Sequence, residues 1–181
     1  MILLGCTPKG RHTEQHDIFF AIGTSLGDLK TSIIDFWPES EGKIHIDAWR
    51  EVTYVDGYTI NISTRKIGME APATNKLFFL NLGGYKRNEF DEFHYKILTV
   101  AENKGIALQN AKQTSFYIHT GFEAGAASHI DDKYGVDVDD MYEIQDILPP
   151  DVKQKYSIDI SIAATKKEDE LFLGYLKIEK I

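Results

Sequence analysis

The stretch Glu14-Gln15-His16-Asp17-Ile18-Phe19-Phe20 has a counterpart 78 positions further along the chain, Glu92-Phe93-His94-Tyr95-Lys96-Ile97-Leu98. Both stretches carry a glutamate, a histidine two residues later and an apolar end. The same shift aligns identical residues on either side of them: Leu4-Gly5 with Leu82-Gly83, and Gly27 with Gly105. One constant offset that holds over so many positions predicts an internal repeat.

Each copy is expected to run strand, strand, helix, strand, strand. In the first copy, Ser25 is a typical N-cap and Pro38 ends the helix, while Asp56-Gly57 is a hairpin turn signal between two strands that alternate apolar and polar residues. The predicted strands are residues 2–5, 17–22, 43–53, 58–63, 77–82, 94–101, 156–163 and 171–177, and the predicted helices are residues 25–36 and 103–116. The expected fold is α+β, with two diverged β-β-α-β-β repeats forming a mainly antiparallel sheet and helices packed on one face.

The repeat boundaries follow from where the offset changes. The first repeat is predicted to span residues 1–74 and the second residues 75–181, with an insertion at about 120–136, closing C-terminal strands and one compact unit overall. Aligning Asp47 with Asp139 and Glu51 with Glu143 favours this insertion. A competing alignment places His45-Ile46-Asp47 on His129-Ile130-Asp131, and the sequence leaves the two open.

The composition limits the classes of partner. Twenty basic and twenty-eight acidic side chains give a net charge of −8, which argues against a nucleic-acid partner, since such binding depends on neutralising phosphates. No apolar run approaches the ~18 residues that a membrane span needs. The single Cys6 cannot form an internal disulfide, which is typical of a reducing compartment. A cytoplasmic protein with no membrane partner is therefore expected.

Several segments together resemble a family known as domain of unknown function 1543. They are Glu14-Gln15-His16-Asp17-Ile18-Phe19-Phe20, His45-Ile46-Asp47-Ala48-Trp49, Val55-Asp56-Gly57-Tyr58, Leu77-Phe78-Phe79-Leu80-Asn81-Leu82-Gly83-Gly84-Tyr85 and Glu92-Phe93-His94. The resemblance covers most of residues 1–148, and residues 121–137 depart from the family pattern. It implies a cytoplasmic bacterial protein without an assigned activity, so no catalytic residue can be carried over.

The repeated Glu-x-His pairs are the main candidate site. Residues two apart on a strand point to the same side, so Glu14 stands beside His16 and Glu92 beside His94. Carboxylate and imidazole together are ligands for Zn²⁺ and other first-row divalent ions. If a pseudo-twofold axis passes near both pairs, they form one four-ligand site. The alternative is that each histidine is a hydrogen-bonded residue that fixes the loop before its strand.

Three other features of the sequence do not indicate a functional site. Gly23-Thr24-Ser25-Leu26-Gly27 fits the G-x-S-x-G pattern of a nucleophile elbow, but Ser25 is better explained as a helix cap. Cys6 is not expected to be a nucleophile. A solvated insertion is the expected role of the acidic residues between positions 131 and 146, namely Asp131, Asp132, Asp137, Asp139, Asp140, Glu143 and Asp146.

Trp49, Tyr54 and Tyr58 lie on neighbouring predicted strands and could form a contact surface, although cross-strand packing is their more usual role. No complete catalytic constellation is present, and whether the protein is an enzyme stays open. The leading hypothesis is a non-enzymatic module that binds a protein or a small ligand in a groove between its repeats. The alternative is a small enzyme that uses a divalent metal at the duplicated Glu-x-His pairs.

Overall fold

A computed structural model describes residues 1–65, 74–85, 88–113 and 138–181, with Tyr85 described by its backbone alone. Ten strands occur there: β1 Ile2–Cys6, β2 Gln15–Phe19, β3 His45–Trp49, β4 Tyr54–Val55, β5 Tyr58–Thr64, β6 Lys76–Tyr85, β7 Glu92–Ala101, β8 Val138–Glu143, β9 Tyr156–Ile162 and β10 Phe172–Lys177. The helices are α1 Lys30–Phe36, α2 Lys104–Lys112, α3 Ile144–Ile147 and α4 Pro150–Lys155, with 3-10 turns at Gly27–Leu29, Pro38–Ser40 and Ile178–Lys180.

Every strand pairing among the described residues is antiparallel, which confirms the predicted α+β class with antiparallel pairing. The strands divide into three sheets, in the orders β10-β3-β1-β2, β4-β5-β9 and β7-β6-β8, where the sequence analysis expects one. The reason is that β10 and β1 occupy the two edges of β3. The hairpin β4-β5 therefore cannot extend β3 and pairs with β9 instead.

Two three-stranded units have the same arrangement. We name β1–β3 the N-terminal unit and β6–β8 the second unit. In each, the first strand is central and pairs with the second on one side and the third on the other. Gly5 lies opposite His16 and Gly83 opposite His94. The central strand carries a register shift towards the third strand between Leu3 and Leu4 in one unit, and between Asn81 and Leu82 in the other.

The predicted helix starts and the predicted hairpin turn are present, but the first helix is divided into two parts. Asn103 caps α2 by accepting a hydrogen bond from the Ile106 N–H, at 3.1 Å. Ser25 Oγ accepts from the Asp28 N–H at 3.3 Å, and the predicted helix over residues 25–36 forms as a 3-10 turn followed by α1. Asp56 and Gly57 both have positive φ, 53° and 86°, as a two-residue hairpin turn between β4 and β5 requires.

Separate groups of buried apolar side chains support the two units. The N-terminal unit packs Leu4 and Ile46 against Ile33 of α1. The second unit packs Phe78 and Leu80 against small residues of α2, whose Ala107 and Ala111 are fully buried. These cores fix the inner faces of the sheets and leave the opposite faces for polar residues. No helix among the described residues is long and apolar enough to cross a membrane.

Candidate metal centre

The polar face of the N-terminal unit brings four ionisable side chains together. Glu14 immediately precedes β2 and His16 lies on it, while His45 and Asp47 share one face of β3 because they are two residues apart. Gly5 of the central strand β1 is paired with both histidines. We call Glu14, His16, His45 and Asp47 the N-terminal cluster.

Each imidazole of the N-terminal cluster faces both carboxylates. His16 Nε2 lies 3.5 Å from Glu14 Oε2 and 3.3 Å from Asp47 Oδ2. His45 Nε2 lies 3.0 Å from Glu14 Oε1 and 3.3 Å from Asp47 Oδ1. Each carboxylate therefore directs one oxygen to each ring. Asp47 Oδ2 is buried and accepts no hydrogen bond of normal geometry from the residues that the structure describes.

A smaller group occupies the corresponding face of the second unit. We call Glu92, His94 and Asp139 the second-unit cluster. Each residue offers one ligand atom, and these atoms all lie within 4.8 Å of one another. His94 Nε2 is 3.1 Å from Asp139 Oδ2. The cluster is half open to solvent, with 36% of the His94 side chain and 28% of the Asp139 side chain exposed.

A glycine makes room for the carboxylate in both clusters. A Cβ atom added at Gly5 would lie 2.5 Å from Asp47 Oδ2 and from His45 Nε2. A Cβ atom added at Gly83 would lie 2.4 Å from Asp139 Oδ2. Both separations are shorter than any carbon–oxygen or carbon–nitrogen contact. A side chain on the central strand at either position would therefore displace the ionisable groups of its neighbours.

The two clusters differ in burial. Only 9% of the His45 side chain is exposed, and its ring packs against Tyr175 of β10 with centroids 4.4 Å apart. His16 and Glu14 are more open, at 42% and 44%. The N-terminal cluster thus has a covered side near β10 and an open side near β2.

A cleft of about 940 Å³ is lined by residues of both units. Glu14 and His16 line it from one unit, and Glu92 and His94 from the other. Five carboxylate residues line the cleft, Glu14, Asp17, Asp91, Glu92 and Asp140, beside the two histidines and Lys96. Burial lowers the pKa of Lys96, and the charge of Asp17 opposes that shift. The charge of the cleft favours cations.

The structure places the predicted Glu-x-His pairs in one cleft, but gives each pair its partners within its own unit. In the part of the chain that is described, the group compatible with a metal ion joins Glu92 and His94 to Asp139. Sequence reasoning missed three members of the clusters, namely His45, Asp47 and Asp139. Two signals pointed to them: the two-residue spacing of His45 and Asp47, and the alignment of Asp47 with Asp139.

The other predicted residues lie elsewhere. Trp49 stacks on Phe172 of β10, with centroids 4.1 Å apart and planes 6° apart, and is half-buried. Tyr54 and Tyr58 belong to the separate β4-β5 hairpin and are also half-buried. The predicted contact surface is therefore divided between two sheets.

The remaining motifs are structural where they are described. Cys6 is buried, and burial, with Glu14 and Glu39 adding to it, raises the pKa of its thiol. The acidic segment from residue 138 onward is the ordered strand β8 and the turn after it, in which Glu143 pairs with Lys76 at 2.7 Å. Asp131, Asp132, Asp137 and the predicted insertion at about 120–136 lie outside the described residues.

Comparison with known proteins supports the family and the fold. A family model described as "Domain of Unknown Function (DUF1543)" matches residues 11–62, which confirms the resemblance read from the sequence there. The crystal structure of a protein Il1583 from Idiomarina loihiensis matches 98% of this chain and 94% of its own, with a TM-score of 0.65 and 20% identity. That similarity shows a shared fold. No protein of curated function matches the chain significantly.

Proposed function

We propose that the protein binds a first-row divalent metal ion, such as Zn²⁺, through the second-unit cluster. The observation that carries the proposal is the convergence of three ligand atoms within 4.8 Å of one another. With metal–ligand bonds of about 2.0–2.1 Å, neighbouring ligands of a tetrahedral ion stand roughly 3.3–3.4 Å apart. The 3.1 Å between His94 Nε2 and Asp139 Oδ2 is close to that separation.

The donor set limits the kind of ion and the kind of site. One imidazole and two carboxylates suit Zn²⁺, Mn²⁺ or another first-row ion better than a thiophilic one. Three protein ligands leave at least one coordination position for water or an exogenous ligand, as in metal sites that exchange ligands. Glu92 and His94 line the cleft, so this position is accessible to a small molecule that enters it.

The cleft supports a second candidate function, the binding of a small ligand between the two units. Its volume of about 940 Å³ is within the range of small-molecule sites. Its acidic lining favours a cationic ligand, or a ligand that a bound metal ion coordinates. Binding in the groove and binding of metal are therefore compatible with each other.

The proposal is tested by equilibrium dialysis of chelator-treated protein against Zn²⁺, with bound metal measured by mass spectrometry. We expect His94→Asn and Asp139→Asn each to bind one ion fewer than the unsubstituted protein. The matched control is Asp159→Asn, the same change at an exposed position on β9. Equal metal content in unsubstituted protein, His94→Asn and Asp139→Asn would contradict the proposal.

A thermal melt provides an independent readout. Zn²⁺ at a hundredfold its Kd should add about 2.7 kcal/mol to the free energy of unfolding. At this chain length the midpoint should rise by roughly 5–10 °C. The rise should be smaller in His94→Asn and unchanged in Asp159→Asn.

A further inference from the structure

We propose that the N-terminal cluster is a second divalent-metal site, with two imidazole and two carboxylate donors. It is distinct from the site of the proposed function and uses different residues. The inference rests on the spacing of the donors, on the unsatisfied polar atom among them, on their charge and on the space that the fold leaves for them.

Neighbouring donors are as close as ligands of one ion, but no three of the four residues offer ligand atoms that all lie within 4.8 Å of one another, so an ion must draw the donors inward. The four nitrogen–oxygen separations between the rings and the carboxylates range from 3.0 to 3.5 Å. Ligands around a tetrahedral ion with bonds of about 2.0–2.1 Å stand roughly 3.3–3.4 Å apart. In addition, Glu14 and Asp47 each direct one oxygen to each ring, so the two carboxylates face each other across the pair of imidazoles.

Hydrogen bonding does not satisfy the cluster. One Nε2–H can be aligned with one oxygen, whereas each Nε2 here faces two carboxylates at similar distances. Asp47 Oδ2 is left buried without a hydrogen bond from the described part of the chain, although it is 3.3 Å from His16 Nε2. Buried carboxylate oxygens normally have a partner, because an unsatisfied one is costly. A cation supplies that partner.

The two carboxylates of the cluster, Glu14 and Asp47, favour a divalent cation. Water screens these carboxylates least on the side of His45, since 9% of its side chain is exposed. A divalent ion balances this charge. Neutral imidazole is also the form in which histidine ligates metals.

The fold holds space for the site. Gly5 lies between the two histidine-bearing strands and has no Cβ to displace Asp47 or His45. Tyr175 covers the ring of His45 and restricts its rotation. The two histidines and Asp47 thus lie on β2 and β3, the strands that flank β1, and Glu14 immediately precedes β2, whereas an incidental surface ion pair depends on mobile side chains.

Four donors should hold the ion more tightly than the three of the second-unit cluster. Imidazole-rich sites prefer Zn²⁺, Ni²⁺, Co²⁺ and Cu²⁺ over Mg²⁺ and Ca²⁺. The N-terminal cluster should therefore be filled first when Zn²⁺ is limiting.

The test is the number of Zn²⁺ ions bound at equilibrium by the full chain and five variants. We expect two ions in the unsubstituted protein, one in His45→Asn, one in His94→Asn and none in the double variant. His12→Asn, a change at an exposed histidine outside both clusters, serves as the control and should retain two. Because His45 is buried, Glu14→Gln is added as a variant at a more exposed position, and it should lower the affinity of one ion by at least about tenfold.

The outcomes separate this inference from the proposed function. If a single ion binds and is lost in His94→Asn alone, the N-terminal site is refuted and the second-unit site stands. If a single ion binds and is lost in His45→Asn and weakened in Glu14→Gln, the N-terminal site stands and the second-unit site fails. If folded His45→Asn and Glu14→Gln, verified by circular dichroism, bind zinc as the unsubstituted protein does, the N-terminal cluster is an ion-pair network and the inference is wrong.

Discussion

The N-terminal and second units place chemically different groups on the same arrangement of strands. In both, a glycine of the central strand lies opposite a histidine of the second strand, and the third strand contributes an aspartate. The N-terminal unit adds the imidazole of His45, two residues before Asp47. Under the same alignment the second unit has Asp137, which is outside the described residues. The difference lies in the third strand.

The comparison distinguishes the backbone features that both units share from the side chains that differ between the two clusters. Register, bulge and glycine are common to both units, so they belong to the scaffold that brings the side chains together. The number of imidazoles and the degree of cover differ between the two clusters, so we expect them to determine how tightly and how selectively each binds metal. We infer that a common scaffold carries two metal sites of unequal strength.

The largest effect is expected from filling the glycine position. In Gly5→Ala the new Cβ would lie 2.5 Å from Asp47 Oδ2 and His45 Nε2, and covered His45 has little room to move. We expect a loss of about 1–3 kcal/mol in the free energy of unfolding, as overpacking gives, with loss of the N-terminal ion. In Gly83→Ala the clash involves the more exposed Asp139 alone, so the loss of stability should be smaller.

Urea denaturation and zinc content measure both changes. Gly27→Ala is the control, because an added Cβ there meets only ordinary contacts at 3.6 and 3.8 Å. Equal stability of Gly5→Ala and Gly27→Ala, with zinc binding retained, would show that the glycine is not required by the cluster.

The sequence predicted the local features that depend on a few neighbouring residues. The period-two alternation predicted β3 and β5, the Asp56-Gly57 signal predicted the hairpin, and Asn103 predicted the start of α2, whereas strand β8 was not predicted. The 78-residue offset aligned Gly5 with Gly83 and His16 with His94, and the structure pairs Gly5 with His16 as it pairs Gly83 with His94. The origin of the two units by duplication stays a prediction.

The sequence could not predict which strands pair at a distance. Strand β10 pairs with β3, although other strands could have occupied the same edge of β3. No short sequence pattern specifies which strand takes that edge. For the same reason the clusters were incomplete. Glu14 and His16 were visible as a pair, but His45 and Asp47 join them only because β3 lies on the other side of β1. The division into three sheets has the same cause.

A substitution at His45 tests whether the third strand determines the metal selectivity of the N-terminal cluster. His45→Asp gives the third strand the Asp-x-Asp sequence of the second unit. One imidazole fewer and one carboxylate more should lower the zinc affinity of the N-terminal cluster by roughly ten- to a hundredfold and improve its relative affinity for Mn²⁺. Competition titrations with a chelating dye would measure both.

The control for that substitution is His45→Asn, which removes the imidazole without adding charge. It should lose zinc affinity without gaining preference for Mn²⁺. If His45→Asp and His45→Asn show the same order of metal preference, the third strand does not set the selectivity.

The smallest effect is expected from replacing Tyr175, whose ring covers the ring of His45. Tyr175 contacts the His45 ring with centroids 4.4 Å apart, and is itself 64% exposed. Replacing it in Tyr175→Leu should cost about 0.5 kcal/mol in stability, the low end for an aromatic pair. Because the imidazole would be less firmly oriented, zinc affinity at the N-terminal cluster should fall by about two- to fivefold, below the range for loss of a hydrogen-bonded supporting residue.

Phe172→Leu provides the matched control on the same strand. It removes the stack on Trp49, which is 4.1 Å between centroids, and so should also lower stability, but Phe172 lies opposite Trp49, at the other end of β3 from His45. Its zinc affinity should therefore equal that of the unsubstituted protein. If the two variants lower affinity equally, β10 acts on the site through the stability of the whole sheet, and the orientation of His45 by Tyr175 is not the cause.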